Sequence, residues 1–162
     1  MAVTHNTFVV EKEYPKPPAK VFEAFSDIEK KKRWYAAGGS HEVVSYANDF
    51  RVGGREVMVG RMGEDTPIPG VVLTWAQEYM EIVAGRRIVA VQTLDMKSGD
   101  MKSGEGESRA SVALVSIELE PASAGCKLTM THQAVYFERS DGPQMRELGW
   151  RALLDALEGA LA

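Results

Sequence analysis

From residue 41 to residue 136 one pattern repeats along the chain: a stretch of strand length, then a break made of turn-forming residues. The stretches fall at about 41–50, 55–62, 70–83, 86–95, 108–120 and 125–136. Gly53-Gly54, the segment from Gly63 to Pro69, Ala84-Gly85 and the segment from Pro121 to Gly125 supply turn chemistry between them. Phe8 to Tyr14 reads as one more strand ahead of the series, which makes about seven. The clearest run is Asp49-Phe50-Arg51-Val52-Gly53-Gly54-Arg55-Glu56. It alternates apolar and polar residues, stops on two glycines, and restarts in Val57 and Val59. That is the pattern of two adjacent antiparallel strands joined by a tight turn.

Helical patterns flank the strands and do not alternate with them. Pro15, Pro17 and Pro18 end the first strand, and a proline fits the first turn of a helix. Val21, Ala24, Phe25 and Ile28 then recur at helical spacing. Ser26-Asp27-Ile28-Glu29 has the spacing of a capping box and opens a second short helix or kinks the first. Trp34 and Tyr35 close that unit. Ser140-Asp141-Gly142-Pro143 starts a long terminal helix. In it Trp150, Leu154, Leu157 and Leu161 make an apolar stripe broadened by Leu153. Gly149 costs about 1 kcal/mol in a helix interior relative to alanine, so a close approach to a neighbouring surface is expected there. Strands in series with helices set apart indicate an α+β fold.

Composition narrows the function classes. At 162 residues the chain fits one domain, spanning 1–162. A domain of this size buries roughly 70% of its unfolded surface and needs no disulfide or metal staple. The net charge of −4 argues against a nucleic-acid partner. The basic run Lys30-Lys31-Lys32-Arg33 reads as the solvated face of a short helix. No stretch is long and apolar enough for a transmembrane helix, and the first residues carry no secretion signal. The lone cysteine, Cys126, suits a cytoplasmic protein and reads as a small apolar filler. The histidines His5, His41 and His132 do not pair at ligand spacing, so no metal or other cofactor is expected. Residues 95–104 hold Asp-Met-Lys-Ser-Gly twice, read as an extended hairpin tip in preference to a lid.

Several marks, in this order, resemble one family: Pro18-Ala19-Lys20-Val21-Phe22-Glu23-Ala24-Phe25, Trp34, Phe50 to Arg55, Arg87-Ile88-Val89, Leu128-Thr129 and Gly149-Trp150. Together they resemble the SRPBCC (START/Bet v 1-like) superfamily, in its Aha1-C-like branch (activator of Hsp90 ATPase homologue 1-like). The resemblance runs from Phe8 to Leu161. It implies a helix-grip fold: a curved antiparallel sheet of about seven strands around a long C-terminal helix, two short helices after the first strand, and a cavity between. Superfolds of this kind host many functions, among them ligand carriers, aromatase/cyclase-like enzymes and a domain of an Hsp90 co-chaperone. One departure stands out. Close relatives often read Thr-Glu-Gln where this chain has Thr131-His132-Gln133.

On the last strand His132 shares a face with Leu128, Met130 and Ala134, so its imidazole is expected to point inward. There it could line a pocket, serve as an acid/base, or be satisfied by a neighbouring hydroxyl or carbonyl. No partner constellation for catalysis is legible, so no residue is assigned as catalytic and His132 is the single candidate. Val71, Leu73, Trp75 and Tyr79 share a parity interrupted by Gln77. Arg51 and Arg55 flank the glycine turn, where they recognise an anionic group or, as the simpler reading, form ion pairs that fix the turn. The expected lining of an apolar pocket is Trp34, Phe50, Trp75, Tyr79, His132, Phe137, Trp150 and Leu154. The function expected is binding of a small hydrophobic or aromatic ligand by a monomer or homodimer. The alternatives are a cyclase or hydrolase using His132 as proton shuttle, and an interaction module for a chaperone such as Hsp90.

Overall fold

The computed structural model describes residues 3–37, 41–98 and 107–161. The loop expected at Gly38 to Ser40 lies outside the described residues, as does most of the duplicated hairpin tip, from Gly99 onward. The elements run β1 (Thr4–Tyr14), α1 (Pro18–Ser26), α2 (Ile28–Tyr35), β2 (His41–Asn48), β3 (Arg55–Met62), β4 (Val72–Val83), β5 (Arg87–Lys97), β6 (Ser108–Ala122), β7 (Gly125–Tyr136) and α3 (Gly142–Gly159). The seven strands form one antiparallel sheet in the order β1-β7-β6-β5-β4-β3-β2. From β2 to β7 each strand pairs with its neighbour in sequence. β1 alone crosses over, to pair with β7. Register shifts at Val43/Ser45, Tyr79/Glu81 and Leu94/Asp95 mark bulges, which bend strands and add to the curvature of the sheet. The α+β, helix-grip expectation is met: a curved sheet with two short helices after β1 and a long helix at the end.

Helix α3 lies in the curve because of its apolar stripe. Trp150, Leu154 and Leu157 are buried, and Leu161 continues the line just past the last turn. Each such side chain contributes about 1.5–3 kcal/mol when fully buried. Two contacts to β1 fix the position along the sheet. The Tyr14 hydroxyl donates to the Leu154 carbonyl at 2.7 Å, and Lys12 pairs with Asp155. The helix begins at Gly142, with Asp141 as its N-cap residue and Pro143 in the first turn.

Two details depart from the sequence reading. Strand β2 ends at Asn48, so Asp49 to Val52 belong to the loop. The loop is held down by its backbone: the Gly53 N–H donates to the Tyr79 carbonyl at 2.8 Å, and the Tyr79 N–H donates to the Gly54 carbonyl at 3.0 Å. Gly53 has φ +82°, and a Cβ on Gly54 would sit 2.1 Å from the Asp49 carbonyl oxygen. Both glycines are therefore required for different reasons, one for conformation and one for space. Gly149, by contrast, makes no close approach. A Cβ there meets nothing within 4 Å, because the residue lies on the exposed face of α3.

These geometries give opposite expectations for one substitution. Gly149→Ala should stabilise the protein by up to about 1 kcal/mol. Gly54→Ala should destabilise it by at least about 2 kcal/mol, because the clashing atom is backbone. The midpoints of urea unfolding curves measure both.

Candidate functional site

The inner face of the sheet is not uniformly apolar. In α2 the residues Lys31, Trp34 and Tyr35 stand three and four apart and form the buried face of the helix. Lys31 is only 3% exposed, which corrects its reading as part of a solvated basic face. Only its neighbours in the run, Lys30, Lys32 and Arg33, are on the outer sides. The helix is capped by Asp27, whose side chain accepts from the Lys30 N–H at 3.1 Å, so Asp27 and not Ser26 is the N-cap. The Lys31 ammonium meets both carboxylate oxygens of Glu56 at 3.2 Å, and Glu56 is 1% exposed. Aromatic faces complete the cage. The ammonium lies 4.5 Å from the Tyr35 ring centroid, 5.4 Å from Trp34 and 5.5 Å from Phe25.

Glu56 starts a row across the sheet. In register, Asn48 of β2 faces Glu56 of β3, which faces Gln77 of β4, which faces Gln92 of β5. A carboxylate can only accept, so the Gln77 amide turns its NH₂ toward Glu56, at 2.7 Å. Its carbonyl oxygen is then left to accept from the Gln92 NH₂, at 2.8 Å. The order of donors is thus fixed from one end, and the Gln92 Oε1 is left buried without a partner among the described residues. The Tyr46 hydroxyl also donates to Glu56, and the Tyr79 hydroxyl donates to the Asn48 Oδ1 at 2.7 Å. Burial first, and the Glu56 charge second, raise the ionisation of Tyr35, Tyr46 and Tyr79 well above the ordinary tyrosine value. All three remain hydrogen-bond donors at any physiological pH.

A void of about 20 Å³ opens beside this row. It is lined by Lys31, Gln77 and Gln92 on the polar side, and by Phe25, Phe50, Tyr79, Ile88, Ala90, Val115, Ile117 and Trp150 elsewhere. That space holds about one water-sized group. A larger cleft of about 560 Å³ lies outside, at the end of the sheet, among Pro18, Arg86, Arg87, Glu118, Glu120 and Thr129. Arg86, Glu118 and Glu120 are solvent-exposed there, with charges of both signs. The interior void is the better candidate, because one of its lining residues, Gln92, carries a buried oxygen without a partner among the described residues.

A second buried cluster lies under the start of α3. Arg146, 3% exposed, grips the Asp141 carboxylate with two hydrogen bonds of 2.9 Å and donates to the Ser111 hydroxyl at 2.8 Å. Its guanidinium covers the rings of Trp75 and Tyr136 at 4.9 and 5.2 Å. His132 is fully buried and stacks on Phe8 at 4.6 Å with the planes 12° apart. Neither of its ring nitrogens has a hydrogen-bond partner among the described residues. Burial, and then the Arg146 charge, push its pKa down to about 4, so the imidazole is neutral at ordinary pH.

Of the residues expected to line a pocket, Phe50, Tyr79 and Trp150 come together at the void. Trp34 stands behind it, its indole N–H donating to the Ala24 carbonyl at 2.9 Å. Trp75 lies beneath Arg146, and His132 against Phe8. Leu154 packs into the core under α3, and Phe137 is half-buried just past β7. Arg51 pairs with Asp49 at 2.7 Å on the surface, the structural role expected for it, and Arg55 is exposed opposite Glu78. Cys126 is buried, with its thiol ionisation raised by burial.

Sequence reasoning passes over Lys31, Glu56, Gln77, Gln92, Arg146 and Asp141. Two carry a local signal. Lys31 precedes Trp34 and Tyr35 by three and four, and Arg146 precedes Trp150 by four, so helical spacing puts both on the buried faces. Gln77 shares the parity of the inward aromatics but reads as an interruption. Its meaning depends on a register that brings Glu56 and Gln92 beside it from 21 and 15 residues away.

Comparison with known proteins bears on the fold. A family model described as activator of Hsp90 ATPase homolog 1-like protein matches residues 15–162. An uncharacterized protein of Rhizobium leguminosarum has a solved structure similar to this one, with a TM-score of 0.84, 29% identity, and coverage of 99% of this chain and 96% of that one. The Mll3558 protein of Rhizobium loti is similar with a TM-score of 0.82 and 32% identity, covering 99% of each chain. An AHSA1-like protein of Aeromonas hydrophila shares the fold, with a TM-score of 0.64 and 17% identity over 96% of this chain and 92% of that one. Among curated proteins, no sequence matches significantly. No helix among the described residues is long and apolar enough to cross a membrane.

Two measurements check the electrostatics. Lys31→Met leaves the Glu56 charge buried and unpaired and should cost about 3–5 kcal/mol in unfolding free energy. The double variant Lys31→Met with Glu56→Gln should be the more stable of the two. The reverse order would contradict the pairing. For His132 the sign follows from a folded-state pKa of about 4 against an ordinary value of 6.5. The unfolded chain takes up the proton first as pH falls, so this residue's contribution is intact above about 6.5 and is lost down to about 4, about 3 kcal/mol in all. His132→Phe should remove that part of the pH dependence when unfolding free energy is compared between pH 8 and 4.

Proposed function

The chain belongs to the family of activator of Hsp90 ATPase homolog 1-like proteins, and we propose that it binds a small, largely aromatic molecule between the sheet and α3, beside Gln92 and Trp150. The observation that carries this reading is the combination at the void. Four rings and four aliphatic side chains form the apolar wall, and a directed row of buried amides ends on one of the lining residues, Gln92, whose oxygen has no partner among the described residues. Ligand sites are commonly built in this way, from apolar walls with a few placed polar groups. A solid core has no use for an acceptor left over, since an unmet buried polar group costs about 1–3 kcal/mol.

The void itself admits one small group, so the body of a ligand needs a wall that moves. Phe50 is the wall best suited to move. It is half-buried, and it stands on the loop between β2 and β3, outside the strands. Its ring touches Phe22 edge-on at 5.7 Å and Tyr79 at 4.9 Å, and both contacts are aromatic pairs that a ligand ring can replace. The remaining walls belong to paired strands and to the docked helices. The buried free thiol of Cys126 supports a cytoplasmic setting for this activity.

Neutral aromatic molecules such as toluene and naphthalene should raise the melting temperature by mass action. Amide chemical-shift changes in two-dimensional NMR should then centre on Phe50, Tyr79 and Trp150. Phe50→Ala should cost about 2 kcal/mol and bind the same probes more tightly, because part of the ligand's space is already clear. Changes centred instead on Arg86, Glu118 and Glu120 would move the site to the outer cleft and overturn the reading.

A further inference from the structure

The polar side of the void constrains the chemistry of what can enter it. We propose that this site selects an uncharged hydroxyl group, carried on a flat apolar body, and discriminates against anions, ammonium ions and ethers of the same shape. The inference rests on the reading above, that a ligand occupies the space beside Gln92, and it names the chemistry of the part that enters first.

The direction of the hydrogen bonds decides the matter. Glu56 accepts, which orients Gln77, which orients Gln92, so the free atom at the void is necessarily an acceptor. A ligand must therefore bring a donor to Gln92. The charged group at the void is Lys31, and an ammonium carries three N–H groups. Glu56 takes at most two of them through its two oxygens. A ligand atom beside Lys31 is thus best an acceptor.

One group has to serve both ends, because the space admits about one oxygen-sized group. A hydroxyl accepts through its lone pairs and donates through its single hydrogen. A carboxylate or phenolate offers only lone pairs, and one of them would meet the Gln92 oxygen. An ammonium would satisfy Gln92 but stand beside the Lys31 ammonium. An ether accepts from Lys31 and leaves Gln92 unmet. The charge count agrees, since Lys31 and Glu56 already balance one another in the interior and a further ion would be buried uncompensated. Phe25, Phe50 and Trp150 then face the flat body that carries the hydroxyl.

Four probes of nearly one shape test this: phenol, anisole, toluene and benzoate, titrated against the full chain by calorimetry. Phenol should bind about tenfold tighter than anisole or toluene, the ratio expected from one buried hydrogen bond, and benzoate should bind weakest. Gln92→Met, which keeps the size of the side chain and removes the acceptor, should bring phenol and anisole to within about threefold of each other. That variant leaves the Gln77 oxygen unpartnered and is checked for folding by its melting curve. The wild-type ratio stands by itself if the variant does not fold. Equal binding of phenol and anisole to the wild-type chain overturns the hydroxyl inference and leaves the ligand-binding reading standing. An unchanged phenol preference in folded Gln92→Met overturns it in the same way. Failure of all four probes, toluene included, overturns both.

Discussion

A carboxylate that is taken out of water has to be met on every side, and Glu56 sets this requirement on β3, one strand in from the edge of the sheet. Its two oxygens collect Lys31 from α2, Tyr46 from β2 and Gln77 from β4, and through Gln77 the demand passes to Gln92 on β5. One side chain on β3 thereby ties together a helix and three other strands. Such a pair is a weak source of net stability, because desolvation consumes most of the Coulomb gain. Its effect is on arrangement. A one-residue slip of β3 would turn Glu56 to the outer face, bring Val57 inward, and leave Lys31 buried without its counter-charge. The aromatic cage of Phe25, Trp34 and Tyr35 makes that alternative worse, since it stabilises the ammonium where it is and gives it no route to water.

The start of α3 is governed in the same way. Asp141 occupies the N-cap position, yet its carboxylate makes no bond to the helix amides, and both oxygens go to Arg146. The Ser140 hydroxyl takes over part of the capping duty by accepting from the Gly142 N–H at 3.2 Å. A buried guanidinium is the more demanding partner, so the local rule gives way to it. The helix is consequently held at both ends by different forces. Arg146 fixes the first turn against Ser111, Trp75 and Tyr136, and the leucine stripe with Tyr14 fixes the rest.

The fold is legible in the sequence for a physical reason: turns are local. Gly53-Gly54, Ala84-Gly85 and the prolines between Gly63 and Gly70 act through their own backbone, so β3 to β7 can be bounded within a few residues. The edges that differ are set by something distant. β2 stops at Asn48 because the loop after it is pinned to Tyr79 of β4. The candidate site is much less legible, because its polar members meet only through register. Lys31 is the clearest case. A run of four basic residues looks solvated when counted along the chain, but a helix distributes them around its circumference, and one of the four has to face Trp34 and Tyr35. Gly149 goes the other way. Its expected contact does not exist, because the neighbouring Trp150 makes the approach to the sheet by itself.

The division of the interior into two polar clusters has a consequence for what the cavity can accept. At the Arg146 end the guanidinium is bound by a carboxylate and a hydroxyl and covered by two rings, and His132 beneath it is held neutral by burial and by that same positive charge. The unpartnered groups among the described residues there are the Tyr136 hydroxyl, on a ring covered by the guanidinium, and the imidazole of His132, which stacks on Phe8. At the Glu56 end the hydrogen bonds run outward from the carboxylate and finish on the unpartnered oxygen of Gln92, a residue that lines the void. On the proposed reading, a molecule entering between sheet and helix would meet an asymmetric wall. Its polar group would be drawn to the β4–β5 side, and its apolar body left to the rings of Phe50 and Trp150. The orientation would follow from a single carboxylate at the far end of the relay, which never needs to touch the ligand.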